Sequence, residues 1–592
     1  MELNYVKQSD SNSLIKEFDE IVDLEKSQNY IPIYGNFFNL TENNFNNIQL
    51  NNTLYLKNVV SKVNDNVYLS KIGSIENNKE VEREVFFKFC PLMDPIKYMI
   101  GKFDLSDNYL NNLPCINDYD NNEIQKTKTG RIVLDKNNIP YVDGFFSFLS
   151  SKLAEKYPCF LNGLEYYGSH IGFKKNFKVN VIDDIEDLIE TDFFTDNLNK
   201  LFTIDERIYS NSCIFHSRNN LKRLSIKSDT DVVLDNIEEL DVNNLFFRDS
   251  SDVTSQDISN AIYDTSNSVL DVSVNDVLTI TKNSDSSSCS SCSTRTSNTN
   301  SDDTLSDFDE DDDEDEDEDE DDEDDDEDED EDDEEQILVN VNKYPVQAIC
   351  IEKCDNTLDD YMINNDIQDN EWISILLQII MNLITYQKVF KFTHNDLHTS
   401  NVMYNTTKKE YLYYCINNTY YKIPTFGKIY KIIDFGRSIY TYKGKLICSN
   451  SYAEHGEATS QYNFEPYFNN KKPRLEPNYS FDLCRLACSL FDHLIDSYLD
   501  FIHDPDDFTK IGALINEWCI DDYGKNVLYK SNGKERYPDF KLYKMIARTV
   551  HKHTPEKQLE REIFNIFKIN RKNINKKAMN SVFNIDKLEP QY

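Results

Sequence analysis

The chain has 592 residues, with 106 acidic against 62 basic side chains and a formal net charge of −44 at neutral pH. One unbroken acidic run, Asp309 to Glu335, holds 27 of those acids and leaves −17 for the rest of the chain. So mild an acidity excludes a chain built as a whole to neutralise nucleic-acid phosphates, which takes clustered Lys and Arg. With 15 Gly, 15 Pro and 13 scattered Cys, collagen-like, mucin-like and disulfide-framework classes are excluded as well.

The opening MELNYVKQSD has no basic segment followed by an apolar one, which predicts no secretory signal. The longest apolar stretch, Ile373 to Ile384, carries Ser, Gln and Asn and falls short of the roughly 20 residues that span a bilayer. The expectation is a soluble cytoplasmic protein with free thiols. Cys289 and Cys292 form the only CxxC, and a single pair does not close a tetrahedral zinc site.

In chain order, residues 1–50 read as an N-terminal extension, and residues 51–202 mix β-rich runs with helical stretches. Leu69 to Ile75 (LSKIGSI) reads as part of a hairpin with one glycine, Gly73, and polar groups at Ser70, Lys71 and Ser74. Glu84 to Phe89 (EVFFKF) is strand-like and sets Lys88 among apolar residues, where an unpaired ammonium is costly. Phe145 to Tyr157, which carries Glu155, reads as an amphipathic helix. Residues 203–336 read as an insertion. From about Asp249 its composition buries too little apolar surface to offset ordering entropy, so disorder is expected there.

Residues 337–592 resume dense apolar patterning. Val346 to Ile351 has strand composition, broken by Glu352, Lys353 and Cys354. A short helix from Asn356 follows, and Trp372 to Val389 repeats apolar residues at a helical period. That helix leads into Thr393-His-Asn-Asp-Leu-His-Thr-Ser-Asn401, and Lys428 to Ile433 is a buried strand ending in Asp434-Phe435-Gly436. Asp396, Asn401 and Asp434 thus stand at the ends of apolar segments. Phosphoryl transfer uses such groups: a carboxylate for the acceptor hydroxyl, and hard oxygens for magnesium. Gly436 would give the backbone freedom to aim Asp434.

His394-x-Asp396-Leu397-x-x-x-Asn401 followed by Asp434-Phe435-Gly436 resembles the catalytic loop and metal-binding turn of the eukaryotic-type protein kinases. The strand, break and long helix before it resemble that family's hinge region. Tyr479 to Leu490 resembles the helix whose leading acid, here Asp482, braces the catalytic loop. The Asn-, Ile-, Lys- and Tyr-rich composition is most similar to the kinases of giant DNA viruses.

The resemblance implies an α+β bilobal kinase fold, with a β-rich N-lobe, a mainly helical C-lobe and the acidic region inserted between two N-lobe strands. It implies Asp396 as catalytic base and Asn401 and Asp434 as magnesium ligands. Lys88, with Glu155 as its helix partner, and Glu352 and Cys354 would serve ATP, Cys159 to Gly172 would be a further N-lobe strand, and His394, Gly436 and Asp482 would give structural support. ATP and Mg2+ are the implied cofactors, protein Ser or Thr hydroxyls the acceptors, and basic proteins suitable partners for the acidic run. No nucleic-acid or membrane partner is expected.

Several positions depart from the family's pattern. No glycine-rich phosphate loop precedes Lys88, Asn395 stands where an arginine is usual, and His398 stands where Ser/Thr kinases commonly have lysine. A Tyr-rich run, Tyr411 to Tyr421, reads as an extra hairpin, and Phe464-Glu-Pro466 takes the place of Ala-Pro-Glu. Two alternatives stay open: a small-molecule kinase, and a pseudokinase scaffold that recruits partners through its acidic loop.

Overall fold

The computed structural model describes residues 2–7, 18–120, 127–204, 337–454, 456–504 and 508–592. The acidic run, Cys289 and Cys292 lie outside them. The described chain is a mixed α/β fold, with a curled antiparallel sheet followed by a helical region carrying smaller sheets.

The main sheet runs in the order Leu24–Gln28, Tyr166–Asn180, Leu338–Glu352, Glu80–Pro91, Val67–Ser74 and Leu54–Lys62, with Phe202–Ile204 also paired to Leu338–Glu352. Residues 1–50 are therefore not an appended extension, since Leu24–Gln28 is an edge strand and Tyr30, Ile31, Ile33 and Tyr34 are core. Leu338–Glu352 alternates between buried and more exposed residues at its start, then is buried without a break from Tyr344 to Ile351. The change marks where one face becomes covered. Helix Ile139–Lys156 packs there, and Gly144 permits it, because a Cβ would stand 2.3 Å from Gln347 Nε2. Pro140 in its first turn, with φ preset for a helix, starts this helix earlier than the apolar period from Phe145 predicts.

Tyr166–Asn180 and Leu338–Glu352 pair along their length, and Val181 N donates to Ile337 O at 2.8 Å. After Ile204, which pairs with Val339, the chain leaves the sheet and re-enters it at Leu338, a neighbouring point at the end opposite Glu352. Loop closure between adjacent points costs little extra as length grows, so a long insertion is tolerated there.

In the second region, helix Asp369–Phe390 is long and apolar enough to cross a membrane, but the fold buries 94% of its most apolar window. Lys391, left-handed at φ 52°, ends it. The extra hairpin is Tyr411–Ile416 and Thr419–Pro424, turned by Asn417 and Asn418, both at positive φ as a tight hairpin turn requires. Lys568–Ile569 and Val582–Asn584 extend it to four strands. All ten described cysteines are free thiols.

His170, in the Tyr166–Asn180 strand, packs against Phe18 with ring centres 4.8 Å apart and planes tilted by 48°, and leaves Nδ1 without a hydrogen bond. Burial pushes its imidazole down to about 4. A depressed histidine favours the fold above its unfolded value and loses that contribution as pH falls. Stability is therefore expected to fall between about pH 6.5 and 4, by at most ~1.4 kcal/mol per pH unit from this group. Urea melts of the wild type and His170→Gln at pH 7 and pH 5 check this: the wild type should lose up to ~2 kcal/mol more than the variant. Equal losses would assign the pH dependence elsewhere.

Candidate functional site

Lys88 points from its strand into a pair of carboxylates. Its Nζ lies 2.7 Å from Asp143 Oδ2 and 2.7 Å from Asp434 Oδ1. Burial disfavours the ammonium, but the two carboxylates outweigh it and hold Lys88 protonated well above the ordinary lysine range. Burial favours the neutral form of Asp143, and the second carboxylate adds to that; the ammonium between them opposes both. Asp143 Oδ1 also accepts from Phe435 N at 3.0 Å, so one side chain fastens the lysine to the Asp434-Phe435-Gly436 turn.

Glu155 is not the partner of Lys88. It lies twelve residues further along the same helix as Asp143, about 18 Å by helical rise. There it accepts from Thr53 N at 2.6 Å and pairs with Lys152. Asp143 was the missed residue. Its signal was a single acid within an otherwise apolar helix face, YVDGFFSFL, where a buried charge must find a partner.

Asp434 and Asn395 both take left-handed backbone conformations, at φ 62° and 65°. For Asp and Asn that costs about 1 kcal/mol and persists only where surroundings enforce it. Gly436, by contrast, has no positive φ. It is needed for space, because a Cβ would come within 2.9 Å of Ile139 Cγ2. Freedom at Gly436 is thus not what aims Asp434; the strained conformation belongs to Asp434 itself. Phe435 is fully buried, with its ring 4.7 Å from that of Phe146.

The loop around Asp396 is fixed from below. The buried Asp482 carboxylate accepts from His394 N at 2.9 and 3.1 Å and from Asn395 N at 2.8 Å. His394 Nε2 lies 2.9 Å from Ile433 O, and Ile433 N donates to Asn401 O at 3.0 Å. These bonds hold Asn401 beside the segment that ends in Asp434. Asn401 Nδ2 donates to Asp396 O at 2.9 Å and lies 3.0 Å from His398 Nε2. Burial lowers the pKa of His398. Asn395 bonds Thr393 and Arg437 O and accepts from Tyr462 Oη at 2.8 Å, a neutral network.

Asp396 itself is three-quarters buried, with Oδ2 3.7 Å from Arg437 Nη1 and Oδ1 accepting from Tyr543 Oη at 2.7 Å. Burial alone would raise its pKa. Arg437, His398 and Arg485 outweigh burial and keep the carboxyl well below the usual carboxylate range. Arg437 also meets Glu457 at 3.1 Å. Arg437, Arg485 and Tyr543 carried no local sequence signal, because only the fold brings them to Asp396.

Glu352 ends its strand with the carboxylate turned inward, accepting from Lys431 Nζ at 2.5 Å, Glu165 N at 2.7 Å and Asn405 Nδ2 at 2.7 Å. Its own N–H is taken by Glu165 O. Lys353 and the buried Cys354 are left as the stretch of this connection whose main chain no described hydrogen bond claims. The turn next to Lys88 is Asn64 to Asn66, with Asn66 O accepting from Phe87 N at 2.7 Å. Gly73 is at the other end of the hairpin, facing Glu80 and packed on Tyr55, so Gly73 and Ser74 do not cover the Lys88 end.

Among the described residues, no group of three or more His, Cys, Asp or Glu could hold a metal. Asn401 and Asp434 offer one amide and one carboxylate oxygen on joined segments. Such a set fits magnesium better than a metal held in an all-protein cage, since magnesium keeps waters and takes phosphate oxygens. The sequence matches no protein-family model, and no curated protein is significantly similar to it.

Proposed function

We propose that the protein is a magnesium- and ATP-dependent phosphotransferase of the eukaryotic-type protein kinase superfamily, with that family's bilobal fold. It passes a γ-phosphoryl group to Ser or Thr hydroxyls of cytoplasmic proteins. The observation that carries this reading is the convergence of Lys88, Asp143, Asp434, Asn401 and Asp396 from four separate segments. A scaffold has no need to hold a buried lysine between two acids or to keep two loop residues in left-handed conformations.

Lys88 is the cation for nucleotide phosphates, held extended by Asp143. Asn401 and Asp434 would hold magnesium, which when bound neutralises phosphate charge. Asp396 orients the acceptor hydroxyl and takes its proton, and Asp482 and His394 fix the loop that carries it. Main-chain groups of Lys353 and Cys354 are free to meet adenine. The chemistry is positioning plus charge neutralisation. The pseudokinase alternative is favoured by one feature, the Asn64–Asn66 turn, which lacks glycine and carries Asp65 paired to Lys62 and Lys178.

Nucleotide binding is the first test. With Mg-ADP at a hundredfold excess over Kd, the native state gains about 2.7 kcal/mol, seen as a rise in Tm. The rise should depend on magnesium. No shift at millimolar nucleotide would set the reading aside.

A further inference from the structure

Tyr543 belongs to helix Phe540–Thr549, far in sequence from Asp396, yet its phenol is the group that candidate base holds. Three features of this contact are those of an acceptor poised for transfer. The Tyr543 O–H donates to Asp396 Oδ1 at 2.7 Å, within the reach a general base needs. Arg485 Nε donates to the same Oη at 2.9 Å, a cation placed where negative charge develops when the proton leaves. One bond donated and one accepted leave the oxygen a second lone pair for attack. The ring is gripped as well: Phe540 stacks on it at 5.3 Å and 13°, and the Arg485 and Arg437 guanidiniums lie 5.1 and 5.6 Å from its centre.

Arg485 only donates, so it fills a lone pair of the Tyr543 oxygen and leaves the hydroxyl hydrogen to another acceptor, which is Asp396. This bond aims the departing proton at the candidate base. It uses the carboxylate oxygen that Arg437 does not approach most closely.

We infer that Tyr543 is the protein's own phosphoacceptor. This rests on the phosphotransferase reading and extends it to a phenolic hydroxyl presented in cis. In the step, Tyr543 Oη bonds the γ-phosphorus of ATP and its proton passes to Asp396. The bond from that phosphorus to the β,γ-bridging oxygen breaks, and ADP leaves with the electron pair. Because the acceptor is tethered, its selection needs no recognition of surrounding sequence, and a tyrosine is used by a site whose outside acceptors are Ser or Thr.

The test is site mapping after incubation of the full chain with Mg-ATP. Phosphate is expected on Tyr543, at a fractional rate independent of protein concentration, and is absent from Asp396→Asn. Arg485→Met should slow it by roughly tenfold or more, since removal of a donor to a developing oxyanion costs at least that. Without nucleotide, tetranitromethane should nitrate Tyr543 roughly tenfold or more slowly than Tyr523, which is 80% exposed, because burial, with the Asp396 carboxylate adding to it, disfavours the reactive phenolate. Nucleotide binding with phosphate only on other residues, a rate that rises with protein concentration, or nitration of Tyr543 as fast as Tyr523 overturns the assignment. Failure to bind nucleotide overturns the phosphotransferase reading first, and the assignment with it.

Discussion

Asp143→Ala is expected to destabilise the protein by about 3 kcal/mol, the lower end of the cost of breaking a buried ion pair. The lower end applies because Asp434 remains 2.7 Å from the Lys88 ammonium after Asp143 is gone. Two losses add to the missing charge: Phe435 N loses its acceptor, and a cavity opens against the turn. Transfer should fall with stability, since Lys88 then collapses onto Asp434 and competes with magnesium for it. Glu155→Ala is the comparison. It breaks one backbone bond from Thr53 and a neighbouring Lys152 pair, so about 1–2 kcal/mol is expected, with transfer retained. Urea melts and transfer assays on both variants decide between the two acids. If Glu155→Ala were the more damaging to transfer, the assignment of Asp143 would be wrong.

Asp396→Asn is expected to lower transfer by roughly 10² to 10⁴ while nucleotide affinity stays within about twofold, the range for removing a general base that is not a ligand. Asparagine keeps the size and can still accept from Tyr543, but it cannot take a proton. The fold should tolerate it, because Glu457 still faces Arg437 at 3.1 Å. The loop is held by Asp482 through backbone bonds that the substitution does not touch.

Much of the site was legible because its parts end regular elements. The apolar period through Asp369–Phe390 and the run Lys428–Ile432 point to the loops where Asp396, Asn401 and Asp434 stand. Asp482 is legible through the resemblance of Tyr479 to Leu490 to a helix that braces a catalytic loop, and it is buried in the first turn of Phe481–Leu494. Lys88 stood out as a charge in an apolar strand. Its partner Asp143 does not stand out, because the apolar period of its helix is clear only from Phe145 onward and Glu155 is the more conspicuous acid. Tyr543, Arg437 and Arg485 meet Asp396 only through tertiary packing, so no spacing rule reaches them. The place of Leu24–Gln28 in the main sheet was hidden for a similar reason: LEKSQ has no strand period, and its pairing with Tyr166–Asn180 is set by a partner far along the chain.

The most direct measurement is phosphate transfer from γ-labelled ATP with magnesium, comparing the wild type and Asp396→Asn at equal protein and saturating nucleotide. Casein, histone and myelin basic protein would be offered beside a pool of sugars and nucleosides. Label on protein Ser or Thr in the wild type, reduced at least about a hundredfold in the variant, is the predicted result. Equal labelling by the two proteins, or none by a folded wild type that binds nucleotide, would contradict it, and label confined to small molecules would replace the protein acceptor with another class.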